Sequence, residues 1–487
     1  MIKMKAFGHI WASASGAPVR LMLLFMSLSL AYLALDPWHN WGGDFAYYLR
    51  VARNMYFDRP LDAGTVGVVA PSGFPWLLSK LAPLLDWRFT PLKRLNLVYA
   101  TVYFGLIFFL SGKFQTSFQR VAFAAVGSLN LWVWSYSNQI LTEMPMLMIV
   151  TGMFAACIWS EERKERFPWR LMFTLYLLAL AACSLKQAAL LTLFVPPLIF
   201  LDRKSNLSLK PKIAIFLVLV ALSTAIVLYV FHSQWFHAQA HTARAQGSSG
   251  LLGKLIFMLG KVDDELKALS AMLLGDVRLL WTGGVLAAVI AIAAVKRILE
   301  GRLAAIALVA SLSVPLFYVP WTPFDGRYWF PMLGALCFLI VEGATTIAAR
   351  IGYRVKKPAE SIFLVALLVS LSVHNVGNAK RLFLIDRDKG VFEINASEMF
   401  YWVHYNTEWG KRICFYKPRI LGYFANWNTV CDLNRYGKPS ELEAVLETRA
   451  DFIIVSDKYA PETWSYFRDL SDNRVVYRNE KFVVVGK

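Results

Sequence analysis

The chain has 487 residues, 57% of them hydrophobic and 17% charged, with a mean hydropathy of +0.46. A soluble domain carries about 25% charged residues, so an ordinary soluble globular protein is excluded. The formal net charge of +18, from 51 Lys and Arg against 33 Asp and Glu, would suggest nucleic acid in a soluble chain. Here no basic–aromatic nucleic-acid module appears, and much of the excess falls in short loops between apolar runs.

The N-terminal stretch is basic and leads into an apolar run at 19–35 with no small-residue cleavage site after it. That reads as a retained first helix and not a removed signal peptide. Further runs follow at 92–110, 121–135, 144–159, 171–183, 188–201, 213–231, 279–295, 303–319, 329–349 and 361–373. Runs of about 17 to 22 apolar residues match a hydrocarbon core of about 30 Å. Lipid leaves every backbone polar group to be paired internally, which calls for helices. A closed barrel would need alternating polarity, and the first 375 residues lack it. The expected fold class is therefore an α-helical polytopic membrane protein of about eleven transmembrane helices.

Lys and Arg orient these spans. With Lys3, Lys5 and Arg20 in the cytoplasm, alternate loops place the other short basic clusters on the same side. These are Lys113 and Arg120, then Arg163, Lys164, Arg166 and Arg170, then Arg203, Lys204, Lys210 and Lys212. Lys296, Arg297 and Arg302, and finally Arg350, Arg354, Lys356 and Lys357, complete the set. The positive-inside bias requires this one-sided fall. The opposite face receives loops 36–91 and 232–278, turns near 138–143, Lys186 and 320–328, and everything after about 374. Loop 36–91 and its exit are themselves basic, with Arg50, Arg53, Arg59, Lys80, Arg88, Lys93 and Arg94. That suits a surface facing anionic lipid.

The chain divides into a membrane module, 1–375, and a tail, 376–487, of different character. Short β-rich runs at 412–416, 429–433, 451–456, 475–478 and 482–485 alternate with helix-like stretches at 440–449 and 461–470. The alternation predicts a small C-terminal extracytoplasmic α/β domain. Of five cysteines, Cys157, Cys183 and Cys337 lie in apolar runs as small buried residues. Cys414 and Cys431 fall on neighbouring strands. Outside the cytoplasm they could form a disulfide; the sequence favours two separate buried thiols.

The candidate chemistry sits at the outer ends of helices. Asp44 opens a helix-like stretch after the first span, and could serve only as a helix N-cap. Glu143 stands at the mouth of a span, where a carboxylate could simply mark the interface. Lys186 is alone between two apolar runs and could be a snorkelling lysine. Arg327, in Asp325-Gly-Arg-Tyr328, suits bidentate phosphate recognition, or could only pair with Asp325. The topology, derived from other residues, puts all four sites on one face. Two carboxylates and two cations there could handle a phosphorylated lipid and a hydroxyl acceptor. His232, His237 and His241 open the second long loop; a metal site there would need further ligands that the sequence does not offer. A transporter of lipid-linked sugars is the main alternative, but transporters keep ionisable groups near the midplane.

The order and placement of several short motifs resemble the GT-C superfamily of membrane glycosyltransferases. Within it the chain resembles the group of protein O-mannosyltransferases and the lipid A aminoarabinose transferase. The matching segments are Gly42-Gly43-Asp44 with Tyr47-Tyr48, Pro71-Ser-Gly-Phe-Pro75, Leu141-Thr-Glu-Met-Pro145, Asp325-Gly-Arg-Tyr-Trp-Phe-Pro331, and Tyr416-Lys-Pro-Arg419 in the tail. The resemblance implies an inner-membrane enzyme that takes a sugar from a polyprenyl-phosphate donor and gives it, with inversion, to a hydroxyl of a lipid, protein or envelope polymer. It implies Asp44 as general base, Glu143 as its assistant, and Lys186 and Arg327 on the donor phosphate, with Tyr47, Asp325 and Tyr328 in support. Some relatives carry a second acid beside the first-loop Asp. Here Phe45 follows, so no cofactor is assigned and a divalent metal stays open.

Overall fold

The computed structural model describes residues 16–36, 39, 42–60, 71–162, 169–199, 208–232, 251–275, 278–318, 326–350, scattered positions from 362 to 378, and 390–487 apart from 409, 425–428, 435 and 471–472. Asp325, His237, His241 and most of the 361–373 run lie outside the described residues. Two compact units emerge. One comprises Met1–Leu35, Arg94–Asn138 and Thr142–Ile385, the other Asp36–Lys93, Gln139–Leu141 and Asp386–Lys487.

Among the described residues, five helices are long and apolar enough to cross a membrane: Phe89–Ser111, Glu143–Glu161, Lys210–Tyr229, Leu280–Leu299 and Phe330–Arg350. Shorter apolar helices occupy Ala17–Leu33, Trp169–Leu185, Gln187–Leu198 and Ala304–Phe317. Two expected spans are broken. The 121–135 run becomes helices Ser117–Ser128 and Leu131–Ser137, because the Asn130 side chain accepts from the Trp132 amide and starts a new helix. The 188–201 run begins as a 3-10 helix, Gln187–Phe194, and continues as a short α-helix led by Pro196 and Pro197. Proline is tolerated there because the first helical turn has no intrahelical use for its missing N–H.

Close packing inside the first unit depends on small residues, as expected where lipid supplies no hydrophobic drive between helices. A Cβ at Gly343 would overlap the Val289 carbonyl, and one at Gly283 would overlap that of Leu266. A buried ionic network ties three helices together. Arg297 donates to Glu161 at 2.8 Å and to Glu342 at 2.5 Å. Arg297 therefore does more than the orienting role read from its place in a basic cluster; among apolar helices such a charge persists only when paired.

The tail in the second unit is an α/β sheet of strand order β2-β1-β3-β5-β4. The strands are β1 Arg412–Phe415, β2 Thr429–Asp432, β3 Phe452–Ser456, β4 Val475–Arg478 and β5 Phe482–Gly486. β2, β1 and β3 run parallel, while β5 pairs antiparallel with both β3 and β4. Helices Pro418–Phe424 and Pro439–Thr448 make the parallel crossovers, the connection parallel neighbours require. Cys414 and Cys431 are register partners on β1 and β2, and they form a disulfide. This corrects the expectation of separate thiols: the register places two Cα atoms 4.4 Å apart, within disulfide reach. Denatured without reductant, the protein should show three reactive thiols, and five after reduction. Five without reductant would exclude the bond. Its 17-residue separation predicts a loss of about 3 kcal/mol on removal.

The basic first loop divides on folding. Lys93 is fully buried and bonds Asp36 through both the carboxylate, at 3.0 Å, and the backbone carbonyl. Arg50 is buried too; burial first, then Arg53 and Arg59, pushes its guanidinium down to about 10. Only Lys80, Arg88 and Arg94 of the seven basic residues are exposed. A lipid-facing role fits those three and not the buried pair.

Candidate functional site

In the first unit, three breaks between helices bring one charged cluster together. Helix Glu143–Glu162 opens with Glu143 in its first turn, where the helix dipole favours a carboxylate. The chain leaves helix Trp169–Leu185 at Lys186, whose extended backbone (φ −148°, ψ 125°) separates it from the following 3-10 turn. Arg327 sits in the 3-10 turn Gly326–Tyr328. Gly326 is pressed against the helix Val262–Leu273, where a Cβ would come within 3.3 Å of the Ala268 carbonyl.

Lys186 Nζ donates to Glu143 Oε1 at 3.1 Å, and Arg327 Nε stands 3.5 Å from the same oxygen. The Tyr328 ring lies under both cations, 5.1 Å from Lys186 Nζ and 5.3 Å from the Arg327 guanidinium carbon. Glu143 is only 3% exposed, whereas the cations remain partly reachable. One buried carboxylate between two cations holds them in place and leaves the cluster with an excess positive charge, a chemistry suited to binding an anion. The second long loop supports the turn. Trp329 donates to Glu265 at 2.8 Å, and burial first raises the Glu265 carboxyl above its ordinary value. Asn130 and Trp132 donate to the Met272 and Ala271 carbonyls, both at 2.9 Å.

In the second unit, helix Gly43–Tyr56 begins after Gly42, which occupies the N-cap. Asp44 therefore stands inside the first turn, and the simple reading of it as the cap residue fails. Its Oδ1 accepts from Arg419 Nη1 at 2.7 Å. Arg419 also lies over the Tyr47 ring, 5.4 Å from its centroid. Phe45 is buried against His39, with ring centroids 3.8 Å apart, so the residue beside Asp44 is an anchor for the loop. Arg419 ends the Tyr416-Lys-Pro-Arg419 motif, and the sequence assigns it no role. The signal was there, a basic residue following Tyr416-Lys-Pro, without any indication of its partner.

Among the described residues, no three His, Cys, Asp or Glu side chains converge as a metal would require. Asp44 and Glu143 each turn an oxygen to a cation instead.

No protein-family model matches the sequence, and no characterised sequence matches it. Solved structures do match. ArnT from Cupriavidus metallidurans bound to undecaprenyl phosphate superposes with a TM-score of 0.57 at 12% identity, over 96% of this chain and 97% of that one. The oligosaccharyltransferase AglB from Archaeoglobus fulgidus, in complex with an inhibitory peptide and a dolichol-phosphate, gives 0.55 at 10% identity, over 92% and 72%. A further structure of the Archaeoglobus enzyme, in complex with Zn and sulfate, gives 0.54 at 10% identity, over 90% and 68%. At these identities the likeness establishes architecture and not substrate. This chain has the fold of the GT-C membrane glycosyltransferases.

Proposed function

We propose that the chain transfers a sugar from a polyprenyl-phosphate donor to a hydroxyl acceptor on the extracytoplasmic face of the inner membrane, with inversion at the sugar carbon. The observation that carries this reading is the convergence of Lys186 and Arg327, from two separate helix breaks, on the buried Glu143. Fold neighbours bound to undecaprenyl phosphate and to a dolichol-phosphate support a polyprenyl carrier.

The acceptor oxygen attacks the anomeric carbon, and the bond from that carbon to the phosphate oxygen breaks. Asp44 takes the acceptor's proton. The polyprenyl phosphate leaves with the bond's electron pair, and Lys186 and Arg327 stabilise the charge developing on it. Glu143 assists by holding those cations, and Tyr328 by backing them. Tyr47 supports the base through Arg419. Asp325 keeps its supporting role in this reading. Purified protein given polyprenyl-phosphate monosaccharides should release or transfer the sugar. Movement of intact lipid-linked sugar across vesicles, with no bond cleavage, would overturn the reading in favour of a transporter.

The membrane arrangement belongs to the same proposal. Residues 1–375 form the membrane module with external loops 36–91 and 232–278, crossing about eleven times. The N-terminus is cytoplasmic and domain 376–487 extracytoplasmic. An impermeant thiol reagent should label Ser440→Cys and spare Ser205→Cys in intact cells. The opposite pattern would invert the topology and remove the site from the outer face.

A further inference from the structure

Asp44 and Arg419 are 375 positions apart in sequence, yet their side chains meet at 2.7 Å within one compact unit. The contact is charge-assisted and short, the stronger kind of hydrogen bond. Both side chains are partly open, 33% and 30% exposed. An ion pair that solvent reaches contributes little to stability. Holding the fold together is therefore a weak reason for this pair.

What surrounds Arg419 is built to fix its position. Its stem lies against Gly43, whose added Cβ would be 3.5 Å from Arg419 Cδ. Its guanidinium sits over Tyr47. The helix that carries it, Pro418–Phe424, follows strand β1, which the Cys414–Cys431 disulfide ties to β2. The same helix is fastened to Gly43–Tyr56 through Tyr423, which is buried, takes the Arg53 guanidinium at 4.4 Å and meets the Phe45 ring edge-on. A rigid arm of the tail thus ends on the first-loop carboxylate.

We propose that Arg419 is a positioning residue: its guanidinium holds the Asp44 carboxylate in the orientation from which it takes the acceptor's proton. The inference rests on Asp44 being the base. An arginine makes a neighbouring carboxylate a weaker base, so its benefit has to come from aim. Aim is worth more, since a displacement of about 1 Å at a reacting group costs roughly 10²-fold in rate. The tail domain then has a catalytic purpose: it completes the first-loop acid.

The test is a double-mutant cycle on purified full-length protein, with polyprenyl-phosphate monosaccharides as donors and released or transferred sugar as the readout. Arg419→Gln should lower kcat by roughly 10 to 10²-fold, with donor KM changed by less than about threefold. Arg419→Lys, which keeps a cation on a flexible stem, should recover about tenfold of that loss. In an Asp44→Asn background, Arg419→Gln should cost less than about twofold more, because residues acting as one unit are not additive. Retention of the Cys414–Cys431 disulfide and an unchanged melting temperature would show that the tail is intact; Arg419→Lys runs through the same cycle should Arg419→Gln misfold. Equal losses in both backgrounds, or a loss carried by donor KM, would overturn the role of Arg419 while leaving the transferase reading in place. Near-normal turnover by Asp44→Asn would overturn the base assignment and this inference together.

Discussion

Asp44→Asn is expected to lower sugar transfer by roughly 10² to 10⁴-fold while leaving the protein folded. The exchange is nearly isosteric. Asn can still accept from Arg419 Nη1, so the 2.7 Å contact need not be lost. Helix Gly43–Tyr56 keeps its start, because Gly42 and not Asp44 occupies the N-cap. What disappears is a group that can accept a proton at neutral pH. Donor affinity should survive, since the phosphate is assigned to Lys186 and Arg327. The measurement is single-turnover transfer beside donor binding. Wild-type turnover by a well-expressed variant would place the base elsewhere, and Glu143, buried under two cations, would be a poorly exposed replacement.

Arg327→Ala is expected to lower kcat/KM for the donor by roughly 10²-fold, the scale of removing one positioned charge-stabilising donor. The loss has two physical parts. The leaving phosphate loses a planar, multidentate partner, and Glu143 loses one of its two cations. Arg327→Lys separates them: it retains charge near Glu143 and forfeits the fork geometry. It should bind donor better than Arg327→Ala and still react slowly. Arg354→Ala, from a short basic cluster that the proposed topology places in the cytoplasm, is the control. Equal donor KM and activity for Arg327→Ala and Arg354→Ala, at matched expression, would remove Arg327 from the phosphate site.

Hydropathy and periodicity are local properties, and the features they govern were legible in the chain. The apolar runs at 92–110, 144–159, 213–231, 279–295 and 329–349 correspond to the five long apolar helices. The five tail strands were readable to within about a residue, because alternation with helix-like stretches needs only neighbouring residues. Broken runs were harder. Asn130 stops one run by capping a new helix with its side chain, and another run opens as the 3-10 helix Gln187–Phe194 ahead of Pro196 and Pro197; an average over apolar residues registers neither. The site divides in the same way. Asp44, Glu143, Lys186 and Arg327 were visible as polar residues where apolar runs end. Their partners were not, since Lys186 meets Glu143 across 43 positions and Arg419 meets Asp44 across 375. The disulfide likewise waited on the parallel register that set Cys414 opposite Cys431. Burial sorted Arg50 and Lys93 from the exposed Lys80 and Arg88 of the same basic loop. Sequence alone thus determined the long apolar helices, the α/β tail and the candidate charges, because each follows from nearby residues. Tertiary structure alone decided which charge meets which, because an ion pair depends on distance in space and not along the chain.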